Sequence, residues 1–590
     1  MQSGIKNFMK ILNKKILLLL SVLTATAVCI ITGTNIGYIA AGMIHGNYAW
    51  NSGAIIFSEK SGFYNEEFYL SIYAPTKEIY YTLDGSEPTK DALKYENPIL
   101  IHDATLNDNT YSMRTDVTAG FMTEEIRERE GDILEYQVPD YKIDKCTVIK
   151  AVYYDKEGTM SAIEEQVYFV GFHEKTGYDN VNIISITTDP ENLFSDENGI
   201  YVLGDKFQEF YDAGTLDDEA YSNLEHWEWW DANYHESGRD WERESRIHIF
   251  DESKKLVLSQ NVGIRIQGGG SRGFLPKSLN IYAREEYGDN KLRYDFWDNG
   301  YYPKRMTLTS GGDDYNTKMK DPLVAELAAD YNFSTMHFEP YVLFLNGEYW
   351  GFYYLTEKYD EQYIENYYGV NKDEVIIIKN HSLEKGTSAD KELYEQMKDF
   401  VESADMSDDA NYQYACELLD IQSFIDYFAV EIYIGRRGDW PSDNFALWRS
   451  RNVSDRIYED GKWRWMLFDV NSAGLSNSSI EHDTIAYVRK HSEMFDNLCN
   501  NEYFVKAFCD KLLEISETIF EEEYVNEIVS KYEALMEEPV RNHHKRFFGD
   551  DSGSRFQDYV GRIRNFGNQR KEFIEKYIEI NFGDIYEINH

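Results

Sequence analysis

"RRGDWPSDNFALWR" (residues 436–449) sets an aspartate, Asp439, five positions before an asparagine, Asn444. The stretch follows the apolar run "IQSFIDYFAVEIYI" (421–434), which predicts a long buried helix. It precedes "WRWMLFD" (463–469), which predicts a strand that ends on Asp469. This order of helix, loop and strand predicts that one amide and two carboxylates face a single site.

Upstream, a glycine-rich turn separates two predicted strands, "VGIRIQ" (262–267) and "KSLNIYAR" (277–284). Gly268, Gly269 and Gly270 begin the turn, and Lys277 comes just into the second strand. Glycines let backbone amides approach an anion closely, and a lysine on a neighbouring strand adds a positive charge for phosphate. A tight β-turn beside a surface lysine explains the same residues without a ligand. The turn alone therefore leaves both explanations open.

The segments between these two stretches supply a helix and a hairpin. "DPLVAELAADY" (321–331) predicts a helix. "FEPYVLFLNGEYWGFYYLTEKYD" (338–360) predicts two strands around an Asn346-Gly347 turn, and a helix follows. The chain thus runs through a glycine turn, a strand lysine, a helix, a hairpin, a helix, an Asp-Asn loop and a strand-end aspartate, which is the order of parts in protein kinases.

Phosphoryl transfer needs few protein groups, and these residues match them. It needs a cation on the nucleotide phosphates, oxygen ligands for Mg²⁺, and a carboxylate that orients the attacking hydroxyl. The separation of Asp439 and Asn444 equals that of the catalytic aspartate and the metal-binding asparagine of protein kinases. Asp469 adds a second carboxylate, which binds metal together with phosphate groups. Phosphoryl transfer is therefore the predicted chemistry.

These motifs resemble those of the CotH family, which is named for a spore-coat protein kinase with a divergent protein-kinase-like fold. The matching stretches span about residues 185–475 and are "ISITTDPENLFSDENGIYV", "GIRIQGGGSRGFLPKSLNIY", "LTSGGDDYNTKMKDPL", "VLFLNGEYWGFYYLTEKYD", "GDWPSDNFALWR" and "KWRWMLFDVNSAG". The resemblance implies a kinase that uses ATP and Mg²⁺ and phosphorylates protein hydroxyls, those of serine. It also implies roles for the matching residues: Asp439 as the catalytic aspartate, Asn444 and Asp469 as metal ligands, Lys277 as the phosphate-binding lysine, and Arg272 as a further phosphate contact.

Three further assignments accompany the resemblance. Glu357, in "YYLTEKYD", lies between the hairpin and the helix and fits the nucleotide hinge. By analogy with protein kinases, Asp321 or Glu326 would be the acidic partner of Lys277. Asn471 stands where the family has a second acid after the metal aspartate. An amide ligates Mg²⁺ through its oxygen but adds no negative charge, so weaker metal binding or a partly degenerate enzyme stays open.

Residues 50–172 predict short strands separated by turns. "IYYTLDGSEPT" (79–89) and "TVIKAVYYDKEG" (147–158) resemble the small β-sandwich module found at the C-terminus of chitobiases and hexosaminidases. Its tyrosines and the Asp84-Gly85 turn would stack on a cell-surface glycan. A hairpin turn held by Asp84-Gly85 explains these residues without a ligand and is the preferred interpretation.

The first 45 residues predict an export segment. Four lysines precede 17 uncharged residues, "ILLLLSVLTATAVCIIT" (16–32), and they are Lys6, Lys10, Lys14 and Lys15. A signal peptide could be cleaved after "ATA" (25–27), whereas the continuation of the apolar stretch to Ile44 favours an uncleaved anchor. Either outcome predicts an extracytoplasmic protein, secreted or membrane-anchored, that contacts the membrane only through this segment.

The predicted fold class is α+β. The predicted domains are the signal peptide or membrane anchor at 1–45, an all-β sandwich at 50–172, and a divergent protein-kinase-like two-lobe domain at 178–590 that is helical from about 480.

The 59 Lys and Arg residues against 104 Asp and Glu residues give a net charge of -45, which excludes nucleic acid as a partner. The five cysteines have no metal-like spacing, and the adjacent histidines His543 and His544 predict a polar helix face.

Two other classes of protein stay open. A glycoside hydrolase would need paired carboxylates beside aromatic rings, and the stretch "EHWEWWDANYHESGRDWERE" (225–244) offers Glu225, Glu228, Asp231, Trp227, Trp229 and Trp230. A solvated acidic helix with an aromatic core face explains these residues as well. The other class is a non-catalytic surface adhesin or scaffold. The sandwich module and the anchor would suit such a protein as well as they suit an exported kinase.

Overall fold

The structure is a computed structural model that describes residues 53–121, 136–214 and 224–588. The predicted export segment, residues 1–45, lies outside these ranges. Within them, every helix is too short or too polar to cross a membrane.

The N-terminal region consists of short strands, as its alternating sequence predicts. They are β1 (Ile56–Phe57), β2 (Gly62–Tyr64), β3 (Phe68–Leu70), β4 (Ile72–Tyr73), β5 (Ile79–Thr82), β6 (Leu93–Lys94), β7 (Ile99–Ile101), β8 (Thr147–Tyr153) and β9 (Glu164–Val170). One sheet has the order β2-β9-β8-β5-β6, and β1 pairs with β4 and β3 with β7. Apolar side chains of all three sheets, among them Phe57, Leu70 and Ile149, form one core. The region is therefore a small all-β module.

A closed barrel follows the module. Its strands are β10 (Asn182–Thr187), β11 (Arg243–Phe250), β12 (Leu256–Gln267), β13 (Ser278–Tyr282), β14 (Arg305–Thr309), β15 (Phe338–Leu345) and β16 (Glu348–Thr356), in the order β10-β11-β12-β13-β14-β16-β15. Strands β10 and β15 are parallel and close the barrel, while the other neighbours are antiparallel. Isoleucines on the inward-facing side of the strands, such as Ile184, Ile264 and Ile281, lie in its core.

The barrel forms one lobe, and the second lobe contains a small sheet and most of the helices. The sheet has the order β18-β17-β19-β20, from β17 (Val375–Lys379), β18 (Ser382–Lys385), β19 (Ala446–Ser450) and β20 (Arg464–Met466). The described α-helices are α1 (Pro190–Phe194), α2 (Gly204–Asp212), α3 (Lys320–Leu327), α4 (Glu361–Tyr368), α5 (Ser388–Ser403), α6 (Asp409–Leu418), α7 (Ile421–Tyr433), α8 (Asn477–Ile480), α9 (Thr484–His491), α10 (Glu493–Leu498), α11 (Glu502–Glu517), α12 (Glu522–Phe548) and α13 (Ser554–Phe582). The mixed α+β class with a helical C-terminal region is confirmed.

Strand β9 joins the module to the barrel. Successive side chains of a strand point to opposite faces, so Tyr168 and Val170 lie in the module core whereas Phe169 points outward. The Phe169 ring lies 5.4 Å from that of Phe250 on β11 and 5.0 Å from that of Phe344 on β15, both edge to face. The module is therefore packed directly against the barrel.

Three local predictions are wrong. The strand predicted over 463–469 ends at Met466, because its pairing with the neighbouring strand β19 does not extend beyond Met466. Asp469 therefore lies in the loop that follows the strand. The tryptophan-rich stretch forms short 3₁₀ turns, Leu224–Trp229, Asn233–His235 and Arg239–Trp241, instead of an acidic helix. His543 and His544 do not form a polar face, since both are buried where α12 meets the barrel.

Candidate functional site

The candidate site lies where one face of the barrel meets the second lobe. Arg265, Asn280 and Thr307 are aligned across β12, β13 and β14, on the face opposite the apolar interior. Thr307 Oγ1 donates to Asn280 Oδ1 at 3.1 Å, and both residues are buried. The loop that follows β14 reaches the loop that follows β20, since the Asp313 amide donates to Asn471 Oδ1 at 3.4 Å. We call the polar region between this barrel face and the second lobe the cleft.

The Asp439 loop follows directly from helix α7. This helix is apolar on almost every side and buried from Ser423 to its end, so the loop starts from a fixed position. The Trp440 indole is buried and donates to Tyr427 OH at 3.0 Å, while the Trp440 backbone amide donates to Asp439 Oδ1 at 2.9 Å. Asn444 Nδ2 donates to Asp439 Oδ2. The predicted catalytic aspartate and the predicted metal-binding asparagine are thus in direct contact.

Arg436 joins this loop to the loop that carries Asp469. Its guanidinium is fully buried and donates to Glu431 Oε1 at 2.8 Å and to the Asp469 carbonyl at 2.6 Å. It also lies 3.8 Å from Asp439 Oδ2. Charge-assisted bonds of this kind are short and directional. Arg436 was not predicted from the sequence, because an arginine three positions before an aspartate is not by itself a distinctive pattern.

Asp469 lies at a left-handed backbone position, with φ of 59°. Burial raises the pKa of its carboxyl group and the nearby Asp439 charge adds to this, while Arg436 and Lys379 oppose it. Asn444 is left-handed as well, with φ of 52°. Asparagine and aspartate tolerate this conformation better than other residues with a side chain, yet it costs free energy. Two strained positions therefore meet at the predicted metal ligands.

Asn471 acts as a hydrogen-bond donor to acids in this structure. Its Nδ2 donates to Asp469 Oδ1 at 2.5 Å and to Asp321 Oδ2 at 3.3 Å. Asp321 Oδ1 in turn accepts the Val470 amide at 2.7 Å. Burial and the Asp469 charge raise the pKa of Asp321. An amide at position 471 therefore holds two carboxylates that would otherwise repel each other.

The glycine turn is covered by the tryptophan-rich segment. Gly268 has φ of 123°, which a residue with a Cβ atom rarely adopts. A Cβ atom on Gly270 would come within 2.8 Å of the Trp229 ring, so the absence of a side chain allows this close approach. The Arg272 guanidinium donates to the Gly268, His235 and Glu236 carbonyls at 2.7–2.9 Å. Arg272 thus holds the turn to the segment that covers it.

The Lys277 amine points into the turn rather than into the cleft. It donates to the Arg272 carbonyl and lies 3.5 Å from the Phe274 carbonyl and 3.7 Å from the centre of the Tyr234 ring. Burial lowers the pKa of this amine well below its ordinary value, and the Arg272 charge acts in the same direction. None of the residues that the structure describes gives it a carboxylate partner. The structure therefore does not bring Lys277 to the three residues on the other side of the cleft.

The acidic partners predicted for Lys277 are wrong. Asp321 contacts Val470 and Asn471, as described above. Glu326 pairs with Lys531 at 2.6 Å and accepts from Tyr532 OH at 2.7 Å, on the far side of α3. Both acids anchor α3, one to the Asp469 loop and the other to α12.

Glu357 follows the last residue of β16 and precedes α4, as expected for a hinge between the lobes. Its buried carboxylate accepts the His337 amide at 2.6 Å and lies 3.1 Å from the His337 ring. Tyr367 OH donates to it as well. The interaction with Glu357 raises the pKa of His337. The side chain thus fixes the hinge backbone, and its predicted contact with nucleotide stays a prediction.

The oxygen donors at this site suit Mg²⁺. Asp439 and Asp469 are carboxylates, and Asn444 keeps its Oδ1 free of described hydrogen bonds while Nδ2 is engaged. The described residues contain no cluster of three or more His, Cys, Asp or Glu side chains with metal-site geometry. Mg²⁺ requires no such cage, because it uses one or two carboxylates together with water and phosphate oxygens. Repulsion between Asp439 and Asp469 is the kind that a divalent cation relieves.

The tryptophan-rich stretch does not present the pair of rings that a sugar site needs. Trp227 and Trp230 are buried in the barrel core, whereas Trp229 is 59% exposed and lies against Gly270. Of these three tryptophans only Trp229 is exposed, and its ring is already in contact with the protein.

Comparisons with known families match two segments of the chain. Residues 69–168 match the family described as Fn3 associated, which agrees with the β-module that precedes the barrel. No curated protein matches the chain significantly. Residues 264–574, more than half of the chain, match the family described as CotH kinase protein, and this segment contains Asp439, Asn444 and Asp469. The resemblance indicated by the sequence motifs is confirmed, and the chain belongs to the CotH kinase family.

Proposed function

We propose that the chain is a protein kinase that transfers the γ-phosphate of ATP to serine hydroxyls in the presence of Mg²⁺. The contact of Asp439 with Asn444, and the link from both to Asp469 through Arg436, carries this proposal. Asp439 and Asn444 on one loop and Asp469 on a second loop are joined through Arg436, and they are the groups that phosphoryl transfer requires.

Each residue has a distinct part in the proposed reaction. The Asp439 carboxylate accepts a hydrogen bond from the acceptor hydroxyl, orients it toward the phosphate, and takes its proton as the oxygen attacks. Asn444 Oδ1 and the Asp469 carboxylate would hold Mg²⁺, which when bound neutralises charge on the phosphate oxygens. Arg436 keeps the two loops at a constant separation, because its guanidinium donates to the Asp469 carbonyl and lies 3.8 Å from Asp439 Oδ2.

Asn471 bears on how strongly the metal is held. With an amide in place of an acid, the site has one negative charge fewer, which favours weaker Mg²⁺ binding. The same amide donates to Asp469 and so keeps that carboxylate in position without metal. We therefore expect an active enzyme that needs a higher Mg²⁺ concentration, rather than an inactive one.

The proposed acceptor is a protein outside the cytoplasm, such as a surface or coat protein. The basic and apolar residues 1–45 support export, and the β-module is suited to a cell-surface glycan. The alternative of a non-catalytic adhesin or scaffold makes a different prediction, since it requires no saturable nucleotide binding.

The test is incubation of the full chain with γ-labelled ATP and Mg²⁺, with a serine-rich protein mixture and with the chain itself as acceptors. Label that appears on serine and requires Mg²⁺ supports the proposal. Absence of both ATP binding and label, in protein shown to be folded by circular dichroism, would favour the scaffold.

A further inference from the structure

A lysine that the sequence analysis did not select lies at the centre of the site. Lys379 ends β17 and is paired in register with Ala446, two residues after Asn444. Its ammonium lies over the Phe468 ring, 4.0 Å from the ring centre, and Phe468 directly precedes Asp469. The adjacent Asn380 accepts the Phe445 amide at 3.2 Å, which holds β17 against the Asp439 loop. Lys379 is therefore held beside the two loops that carry the predicted metal ligands Asn444 and Asp469.

A second lysine approaches the same cleft from the hinge. Lys358 directly follows Glu357, and the positive charges of Arg305, Lys379 and Arg265 all act on its amine. Burial, reinforced by these like charges, lowers the pKa of Lys358 to about 8. Both lysines are half-buried. The cleft thus contains neighbouring positive charges that come from the hinge and from β17.

Neither of these lysines has a carboxylate in direct contact within the part of the chain that the structure describes. Among the described residues, no carboxylate lies within 4.0 Å of either amine. Glu384 acts on both lysines from farther away, as Asp469 does on Lys379, and burial still lowers the pKa of both amines. If Asp469 holds a divalent cation, its charge is no longer available to Lys379. Grouped, partly buried cations without partners are unfavourable unless an anion binds there.

Lys277, in contrast, already has hydrogen-bond partners for its amine and needs no bound anion. Its amine is fully buried and engaged by the Arg272 and Phe274 carbonyls and by the Tyr234 ring. To reach a phosphate it would have to leave these contacts and open the glycine turn. Its geometry is that of a residue that stabilises the turn.

We propose that Lys379 and Lys358, rather than Lys277, bind the phosphate groups of the nucleotide. Lys379 contacts the phosphates nearest the metal ligands, and Lys358 contacts them from the hinge side. This inference rests on the proposed nucleotide site, but it concerns which side chains carry the phosphate contacts.

The test measures binding of ATP, ADP and AMP by calorimetry, with and without Mg²⁺, in the full chain and in Lys379→Met, Lys358→Met and Lys277→Met. Lys156→Met, an exposed lysine of the N-terminal module, is the matched control. Loss of one charged phosphate contact should weaken ATP binding roughly 10-fold or more. The effect should be smaller for AMP, and Lys379→Arg should restore most of the ATP affinity.

Thermal unfolding gives a second, independent readout. Lys379 and Lys358 are like charges without a direct ion pair, so without ligand Lys379→Met should unfold at the same temperature as the unmodified chain or at a higher one. ATP should raise the unfolding temperature of Lys379→Met less than it raises that of the unmodified chain. A lysine with a purely structural role would lower the unfolding temperature when it is replaced.

Two results would overturn the inference, and they differ from each other. If the unmodified chain binds ATP, and Lys379→Met and Lys358→Met bind it equally well, the phosphate contacts lie elsewhere and the proposed function stands. If the folded, unmodified chain binds no nucleotide, with or without Mg²⁺, the proposed function fails and the inference fails with it.

Discussion

At the scale of single residues, the site depends on two strained backbone positions. Asn444 and Asp469 both have positive φ values, at which most residues with a Cβ atom are disfavoured. Both positions are held by neighbours, Asn444 through its bond to Asp439 and Asp469 through Arg436 and Asn471. The packed surroundings therefore impose a backbone conformation that aims the two side chains at one place.

Asp439→Asn should keep nucleotide binding while losing most phosphoryl transfer. The amide preserves the shape of the side chain but cannot take the proton of the acceptor hydroxyl, and such proton transfer contributes roughly 10²–10⁴-fold to rate. Transfer of label from ATP and ATP affinity should be measured on the same preparation. Asp443→Asn, in the same loop but exposed, is the control. Unchanged transfer would remove Asp439 from the mechanism.

Asp469→Ala should abolish the dependence of nucleotide binding on Mg²⁺. Asp469 is the principal carboxylate ligand in the proposed site, and Asn444 alone offers a neutral oxygen. ATP titrations at zero and millimolar Mg²⁺ measure the effect, with the exposed Asp455→Ala as the control. A variant whose ATP affinity still rises with Mg²⁺ would contradict the assignment.

Asn471→Asp should destabilise the chain without metal and increase its response to metal. The substitution removes the two hydrogen bonds to Asp469 and Asp321 and adds a third carboxylate beside them. The free energy of unfolding should fall by about 1–3 kcal/mol without Mg²⁺, and Mg²⁺ should restore more of it than in the unmodified chain. Asn477→Asp, on the exposed side of α8, should show neither change.

The site residues differ in how far the sequence could reveal them. Asp439, Asn444 and Asp469 follow from residue type and spacing, because the chemistry requires oxygen donors at a fixed separation. Arg436 and Lys379 do not, since an arginine that binds a carbonyl 33 positions away and a lysine at a strand end have no distinctive local pattern. Their roles depend on which loops the fold brings together.

At the scale of elements, helix α13 anchors the base of the Asp439 loop. Arg570 is fully buried within it and donates to the Tyr433 carbonyl at 3.1 Å, at the end of α7. The same guanidinium donates to the Ser479, Ile480 and His482 carbonyls at 2.7–3.1 Å. One side chain therefore satisfies carbonyl groups of several elements that would otherwise be buried without donors.

Arg570→Met should lower the free energy of unfolding by about 3–5 kcal/mol, because it leaves several buried carbonyls without a donor. Urea titration followed by circular dichroism measures this change. Arg562→Met, which alters an exposed ion pair on the same helix, should change stability by less than about 0.5 kcal/mol. Equal effects of the two substitutions would show that Arg570 has no special role.

Element predictions succeed where the local signal is strong. The hairpin around Asn346-Gly347, helix α7 and the C-terminal helices all follow from turn chemistry or from hydrophobic periodicity. The end of β20 does not, because it is set by pairing. After Met466 the backbone leaves β19, and the Leu467 amide donates to the Ser334 carbonyl at 2.8 Å instead.

At the scale of the whole molecule, a buried carboxyl group lies between the β-module and the barrel. Glu165 on β9 is buried, 4.0 Å from Lys150 and 3.5 Å from the His248 ring on β11. Burial raises its pKa to about 7, against the lowering effect of the Lys150 and Arg246 charges. The native state thus holds a proton that the unfolded chain releases near pH 4.5.

Stability should therefore fall as pH rises across this window. Because the folded pKa is raised, the contribution of Glu165 is fully present below pH 4.5 and is lost as pH approaches 7. Between pH 5 and 7.5 the unmodified chain should lose about 2–3 kcal/mol relative to Glu165→Gln. Urea unfolding at both pH values measures the difference, and Glu157→Gln, which is exposed, should behave like the unmodified chain. Parallel pH profiles for Glu165→Gln and the unmodified chain would refute the prediction.

The sequence by itself determined the fold class, the order of the parts and the family, and it indicated the three oxygen donors that we propose for the site. These follow from hydrophobic periodicity, turn chemistry and spacing, which act over short stretches of chain. Only the tertiary structure decided which cations meet those donors: it brought Arg436 and Lys379 to the cleft and kept the Lys277 amine within its own turn. The physical reason is that the direction of a long side chain depends on packing and counter-charges contributed by distant segments, and no local pattern encodes these.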